Sequence, residues 1–183
     1  MSREKTIKLR HIVPSMVTVF AICAGLTSVR MSLEGNLETA LFFIILAVFL
    51  DAADGKLARF LNTASPFGAE LDTLADFFNF GIAPGFLLYN TLYLGTPYAN
   101  LGWLATLVLA VCCALRLARF NLALGDTQPT AAAKNFFVGV PAPALACLAL
   151  MPIFMHLSGW RDADYPILRT LYIVAVGFLA VST

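Results

Sequence analysis

The chain has little charge and no excess of either sign. Of its 183 residues, 13% are charged, and twelve basic and eleven acidic side chains leave a formal net charge of +1. This balance provides no broad basic surface for a nucleic acid partner. Hydrophobic residues make up 60% of the chain, against roughly half in an ordinary soluble domain. We therefore predict an integral membrane protein.

Paired cysteine motifs and a recognisable leader are also lacking. Cys23, Cys112, Cys113 and Cys147 all fall in apolar runs without the spacing of a metal finger or a redox pair. We expect them to pack as small apolar residues. The basic start is followed by Pro14 and an apolar stretch without a small-residue cleavage site, so no cleavable signal peptide is predicted.

Six apolar stretches are separated by polar or proline-containing turns. We predict that they are transmembrane helices, over residues 12–31, 37–61, 67–94, 98–121, 135–157 and 166–183. Gly81 and Pro84 are expected to bend the third helix, and three prolines are expected to make the fifth irregular. The chain is thus predicted to be an all-α, polytopic membrane domain over residues 12–183. A short basic segment, residues 1–11, is expected to lie at the membrane surface before it.

The distribution of basic residues predicts an orientation. Nine of the twelve fall on one side of the six predicted spans: Arg3, Lys5, Lys8, Arg10, Lys56, Arg59, Arg116, Arg119 and Lys134. The positive-inside rule places this side in the cytoplasm. The last stretch is still apolar where the sequence stops, so we expect the natural chain to continue beyond Thr183.

Four aspartates lie on the same side, between two long apolar stretches. Asp51 and Asp54 are three residues apart and Asp72 and Asp76 are four apart, so each pair shares one face of a helix. Four carboxylates near lipid repel one another strongly unless cations hold them. Hard carboxylate oxygens favour Mg²⁺ or Mn²⁺, and Mg²⁺ usually completes its shell with water and substrate phosphate. The pattern predicts a phosphoryl-transfer site that acts on a lipid phosphate.

Small residues accompany the acids. Gly55 and Ala58 lie on the acid-bearing face of the first helix, and Gly68 lies on that of the second. Without large side chains there, a flat or bulky ligand could approach the helix backbone closely. We predict that these three residues form the floor of an acidic cleft.

The acidic stretch resembles the complete signature of the CDP-alcohol phosphatidyltransferase family, in the run Asp51-x2-Asp54-Gly55-x2-Ala58-Arg59-x8-Gly68-x3-Asp72-x3-Asp76. Residues 65–81, 116–121 and 137–144 are similar to the phosphatidylserine synthase branch of that family. The family often has Pro-Asn where this chain has Pro14-Ser15, so no nucleotide contact is predicted for Ser15.

The resemblance implies a six-helix, usually homodimeric membrane enzyme of a bacterial or archaeal cytoplasmic membrane. Such an enzyme transfers the phosphatidyl group of CDP-diacylglycerol to an alcohol and releases CMP. The resemblance also implies a two-metal site for Mg²⁺ or Mn²⁺ with Asp51, Asp54, Asp72 and Asp76 as ligands, and Asp76 as the general base. The implied nucleotide-binding residues are Asp54, Gly55, Ala58, Arg59 and Gly68.

The acceptor alcohol is predicted to be L-serine. Arg116 and Arg119 lie one helical turn apart, and a guanidinium suits the carboxylate that serine carries. Lys134 is a further candidate for acceptor binding. Each arginine has an alternative role as an anchor for a lipid headgroup or a helix C-terminus. Other acceptors for the same chemistry are glycerol 3-phosphate, an inositol phosphate and choline, and a more distant alternative is a divalent-cation transporter.

Overall fold

The computed structural model describes residues 2–61, 63, 65–125, 140–159 and 165–182, and no β-strand occurs among them. Their helices are α1 (Ser2–Leu33), α2 (Leu37–Leu61), α3 (Pro66–Asp76), α4 (Ala83–Leu92), α5 (Ala99–Gly125), α6 (Ala142–Ala149), α7 (Met151–Leu157) and α8 (Pro166–Val181). A π-helical segment, Phe77–Ile82, joins α3 to α4. The predicted all-α class is confirmed.

Two stretches of these helices are long and apolar enough to cross a membrane, Ile12–Leu33 in α1 and Ala99–Leu122 in α5. Shorter apolar helical stretches cover Ala142–Leu157 and Pro166–Val181. The count of six spans stays a prediction. Helix α1 already begins at Ser2 and continues through Pro14, and the position of residues 1–11 at the membrane surface also stays a prediction.

Local sequence explains where α3 begins. Ser65 has an extended backbone and is the N-cap, and its Oγ accepts a hydrogen bond of 3.0 Å from the backbone N–H of Gly68. Pro66 follows at the first helical position, where its missing N–H is not needed. The helix thus begins one residue before the predicted start at residue 67.

The first compact unit of the chain covers Met1–Asn79. Helices α1 and α2 both bury small residues, including Ala21 and Ala24 on α1 and Ala40 on α2. Small side chains allow two helix backbones to approach closely. The Oγ of the buried Ser28 accordingly reaches the backbone carbonyl of Ala40, to which it donates a hydrogen bond of 2.7 Å.

The second compact unit covers Phe80–Thr183. Its core includes Leu87 of α4, Leu109 of α5 and Ile173 of α8. The Tyr93 side chain is also buried, and its hydroxyl lies 3.0 Å from the Thr170 hydroxyl of α8.

The third predicted span departs from α geometry where the sequence predicts a bend. The π-helical segment contains Gly81 and ends two residues before Pro84. Proline has no N–H to donate to the carbonyl four residues earlier, which is that of Phe80. Loss of this bond gives a physical reason for the α-helical pattern to break here.

The fifth predicted span is irregular in its described part, residues 140–157. Helix α6 ends at Ala149 and α7 begins at Met151. Pro152 cannot donate to the carbonyl of Leu148, and the hydroxyl of Tyr172 on α8 donates to that carbonyl instead, at 2.9 Å. A side chain of another helix thereby satisfies the backbone group that the proline leaves open.

Candidate metal and nucleotide site

Three of the four aspartates converge in the first unit. Asp51 of α2 and Asp72 and Asp76 of α3 each offer a carboxylate oxygen, and these oxygens lie within 4.8 Å of one another. Helical spacing puts Asp72 and Asp76 on one face of α3, and the packing of the unit brings that face to Asp51. Three hard oxygen donors at this separation fit a small divalent cation such as Mg²⁺ or Mn²⁺.

Asp54 is placed differently from the other three acids. It is 3% exposed, and its Oδ2 accepts a hydrogen bond of 2.6 Å from the hydroxyl of Thr18 on α1. Its Oδ1 is buried, with no hydrogen-bond partner among the described residues. Burying a carboxylate oxygen without a hydrogen-bond donor costs free energy, and a bound cation would offset that cost.

A cavity of about 180 Å³ adjoins these acids. Its lining from α2 and α3 consists of Asp54, Gly55, Ala58, Gly68, Ala69 and Asp72. The three small residues predicted as a floor are all part of this wall. Asp72 belongs both to the cavity wall and to the three-acid group, so a ligand in the cavity would lie next to the candidate cation site.

The remaining wall comes from residues to which sequence reasoning assigned no role in the site. Helix α1 contributes Pro14, Ser15 and Thr18, and the connection between α2 and α3 contributes Thr63 and Ser65. The discounted Ser15 thus lines the cavity. The sequence signals for these positions were the Pro14-Ser15 pair and the resemblance that begins at Ser65. Thr18 carried no signal, because its role depends on how α1 packs against α2.

Arg59 lies at the end of α2. Its Nε donates a hydrogen bond of 3.0 Å to the backbone carbonyl of Gly55, one turn earlier. The arginine therefore holds the helix backbone at a glycine of the cavity wall. Its predicted role in binding the nucleotide stays a prediction.

The candidate acceptor residues belong to the second unit. The Nη1 of Arg119 donates a hydrogen bond of 2.7 Å to the carbonyl of Val181, so Arg119 caps the C-terminus of α8. This contact fits the alternative role as a helix anchor. The Nε of Arg116 is buried without a hydrogen-bond partner among the described residues. Lys134 lies outside the described residues.

Comparison with known proteins identifies the family. The family model for CDP-alcohol phosphatidyltransferase matches residues 11–181. Three similar proteins are each named CDP-diacylglycerol–serine O-phosphatidyltransferase. The one from Mycobacterium leprae is 45% identical over 158 residues, which cover 85% of this chain and 52% of the relative.

The relative from Mycobacterium tuberculosis is 43% identical over 158 residues, covering 85% of this chain and 54% of the relative. The relative from Bacillus subtilis is 36% identical over 140 residues, which cover 76% of this chain and 74% of the relative. The chain thus spans about half the length of the mycobacterial relatives that it matches. With the family signature spread over the acid group and the cavity wall, this protein belongs to the CDP-alcohol phosphatidyltransferase family.

Proposed function

We propose that the protein is an integral membrane enzyme that transfers the phosphatidyl group of CDP-diacylglycerol to the hydroxyl of L-serine, giving phosphatidylserine and CMP. The observation that carries the proposal is the convergence of Asp51, Asp72 and Asp76 within 4.8 Å at the edge of a cavity floored by small residues. The names of its relatives support serine as the acceptor.

Asp51, Asp54, Asp72 and Asp76 would hold Mg²⁺ or Mn²⁺. When bound, two such cations neutralise the diphosphate and stabilise the leaving CMP. The cavity of about 180 Å³ would take the nucleotide, because Gly55, Ala58 and Gly68 leave its wall free of bulky side chains. Arg59 would contribute to nucleotide binding from the end of α2.

In the proposed reaction the serine hydroxyl attacks the lipid-side phosphorus of CDP-diacylglycerol. A bond forms between the serine oxygen and this phosphorus, and the anhydride bond to CMP breaks. Asp76 accepts the proton of the attacking hydroxyl, a contribution typically worth about 10²–10⁴-fold in rate. CMP leaves with the electrons of the broken bond.

For serine binding we propose the arginines of α5. A free amino acid brings a carboxylate that needs a cationic partner. The Nε of Arg116 is buried and has no hydrogen-bond partner within the described part of the chain, which supports Arg116 as the stronger candidate. Arg119 is the weaker candidate because one of its donors already caps α8. Lys134 stays a candidate for acceptor binding because of its positive charge.

We further propose that the enzyme functions as a homodimer in the cytoplasmic membrane of a bacterium or archaeon. The distribution of basic residues supports an active site that faces the cytoplasm. CDP-diacylglycerol would then enter from the bilayer and serine from the cytoplasm.

The proposal is tested with purified protein, CDP-diacylglycerol and Mg²⁺ or Mn²⁺. Serine, glycerol 3-phosphate, an inositol phosphate and choline are supplied separately, and the released CMP is measured. We expect release with serine and background release with the others. Release only with another acceptor would reject serine while keeping the chemistry, and no release with any of them would reject the proposed transferase.

A further inference from the structure

A hydroxyl of α1 binds an acid of the family signature on α2. The distance from the Thr18 Oγ1 to the Asp54 Oδ2 is 2.6 Å, and both residues are almost completely buried. Hydrogen bonds from a hydroxyl to an ionised carboxylate have this length and are about twice as strong as neutral ones. This contact between two helices therefore fixes the Asp54 side chain.

Thr18 donates to Asp54 rather than to the backbone carbonyl one turn earlier in its own helix. Threonine in a helix commonly donates to the carbonyl four residues earlier. Thr27 does so within the same helix, at 2.7 Å from the carbonyl of Cys23. The corresponding distance from Thr18 to the carbonyl of Pro14 is 3.2 Å. A hydroxyl has one proton, and the shorter distance assigns it to Asp54.

The two oxygens of Asp54 are thereby made different. Oδ2 is occupied by Thr18, whereas Oδ1 is buried without a hydrogen-bond partner among the described residues. Both residues line the cavity next to the three-acid group. We infer that Thr18 is a positioning residue, which holds Asp54 so that Oδ1 is presented to the divalent cation of the site.

The inference rests on the proposed function to the extent that it assigns a cation to Asp54. Groups that orient a metal-binding side chain typically change metal affinity by about 10–100-fold when they are removed. Loss of the Thr18 hydroxyl should therefore weaken the cation site without touching the serine site. A purely structural role would lower the stability of the protein but leave the affinity of the folded fraction unchanged.

The experiment measures Mn²⁺ binding to the purified full chain in detergent, by electron paramagnetic resonance, without CDP-diacylglycerol or serine. We expect Thr18→Val to weaken Mn²⁺ binding about tenfold or more. Thr18→Ser keeps the hydroxyl and should bind Mn²⁺ like the wild type. Thr27→Val is the matched control, because it removes a hydroxyl bonded within the same helix away from the acids, and it should also bind normally.

Two results would overturn the inference. One is wild-type Mn²⁺ affinity in folded Thr18→Val, and the other is a loss in Thr18→Ser as large as in Thr18→Val, since that would make the methyl group the important part. If the valine variant does not fold, Thr18→Ala removes the same donor with a smaller side chain and decides the question in the same way.

A double variant tests whether Thr18 acts through Asp54. In an Asp54→Asn background, Thr18→Val should cause no further loss of Mn²⁺ affinity, and a full additional loss would contradict the inference. Serine-dependent CMP release by the wild type is measured separately. Its absence would reject the proposed function but leave the Mn²⁺ comparison readable, so the two failures are distinguishable.

Discussion

Two glycines of the first unit, Gly25 and Gly55, have opposite surroundings. A Cβ at Gly25 of α1 would overlap the side-chain oxygen of Asn79 and lie 3.1 Å from the Phe78 ring. At Gly55 of α2 such a Cβ would meet, apart from the neighbouring residues and the backbone of its own helix, only the Nη2 of Arg59 among the described residues, at 3.9 Å. The first glycine is required by packing. At the second glycine there is room for a methyl group. Packing within the protein therefore does not explain why the residue is glycine, whereas a ligand that needs this space would.

Replacement of each glycine by alanine separates these roles. We expect Gly55→Ala to keep or slightly raise thermal stability, since alanine favours a helix over glycine by about 1 kcal/mol. The added methyl group enters the cavity wall, where overpacking costs about 1–3 kcal/mol, so CMP affinity should fall about tenfold or more.

Gly25→Ala is the matched comparison, and it should lower the melting temperature because Asn79 cannot move away without disturbing a buried side chain. Both quantities are measured on detergent-purified protein, by thermal unfolding and by calorimetric CMP titration with Mg²⁺. Unchanged CMP affinity in Gly55→Ala would contradict a nucleotide at this wall.

For individual residues, the helical periodicity of the sequence correctly predicted which side chains share a helix face. The face shared by Asp72 and Asp76 follows from their spacing, and the position of Gly55 and Ala58 in the cavity wall follows from the same rule. The hydrogen bond from Thr18 to Asp54 could not be predicted. No sequence pattern shows whether a threonine in an apolar helix donates to another helix or to a carbonyl of its own helix.

Among the secondary-structure elements, the pair α6 and α7 shows how a helix break is stabilised. Pro152 leaves the carbonyl of Leu148 without its usual donor, and Tyr172 of α8 donates to it at 2.9 Å. The prolines in the sequence predicted the irregularity. They could not predict its partner, because Tyr172 is twenty-four residues away in sequence and reaches Leu148 only through tertiary packing.

Removal of the Tyr172 hydroxyl should destabilise the protein. Tyr172→Phe removes an exposed hydrogen bond to the carbonyl of Leu148, so we expect a loss of about 0.5–1.5 kcal/mol, the usual net contribution of one hydrogen bond. Tyr165→Phe is the control, since Tyr165 is 64% exposed, and it should unfold like the wild type. Thermal unfolding in detergent measures the difference.

A second substitution tests the cause. Pro152→Ala restores an N–H that can donate to Leu148, so in the Tyr172→Phe background it should recover part of the lost stability. If the double variant is no more stable than Tyr172→Phe alone, the carbonyl of Leu148 is not the group that Tyr172 stabilises.

On the scale of the whole molecule, large apolar side chains are exposed on both compact units. Phe42 and Phe49 of α2 are 59% and 68% exposed, and Leu122 of α5 is 75% exposed. Such side chains suit contact with lipid in a protein of a membrane enzyme family. Composition predicted this property directly, whereas the number of spans depends on helix ends and connections that hydropathy defines less well.

The predicted orientation can be measured with single cysteines in a variant whose four native cysteines are replaced. Glu34→Cys, between α1 and α2, should react with a membrane-impermeant thiol reagent in intact spheroplasts. Phe60→Cys, at the end of α2, should react only after the membrane is opened, because the distribution of basic residues predicts that this end lies in the cytoplasm. A permeant reagent that labels both is the control, and the reverse pattern would contradict the orientation.

The bond between Tyr172 and Leu148 also has a consequence for biosynthesis. The ribosome makes α6 and α7 before it reaches Tyr172, so for a time Leu148 has a carbonyl without its eventual donor. An unsatisfied backbone group costs several kcal/mol in hydrocarbon. We therefore expect α6 and α7 to remain in a hydrated environment, such as the insertion channel, until α8 arrives, and the three helices to enter the lipid together.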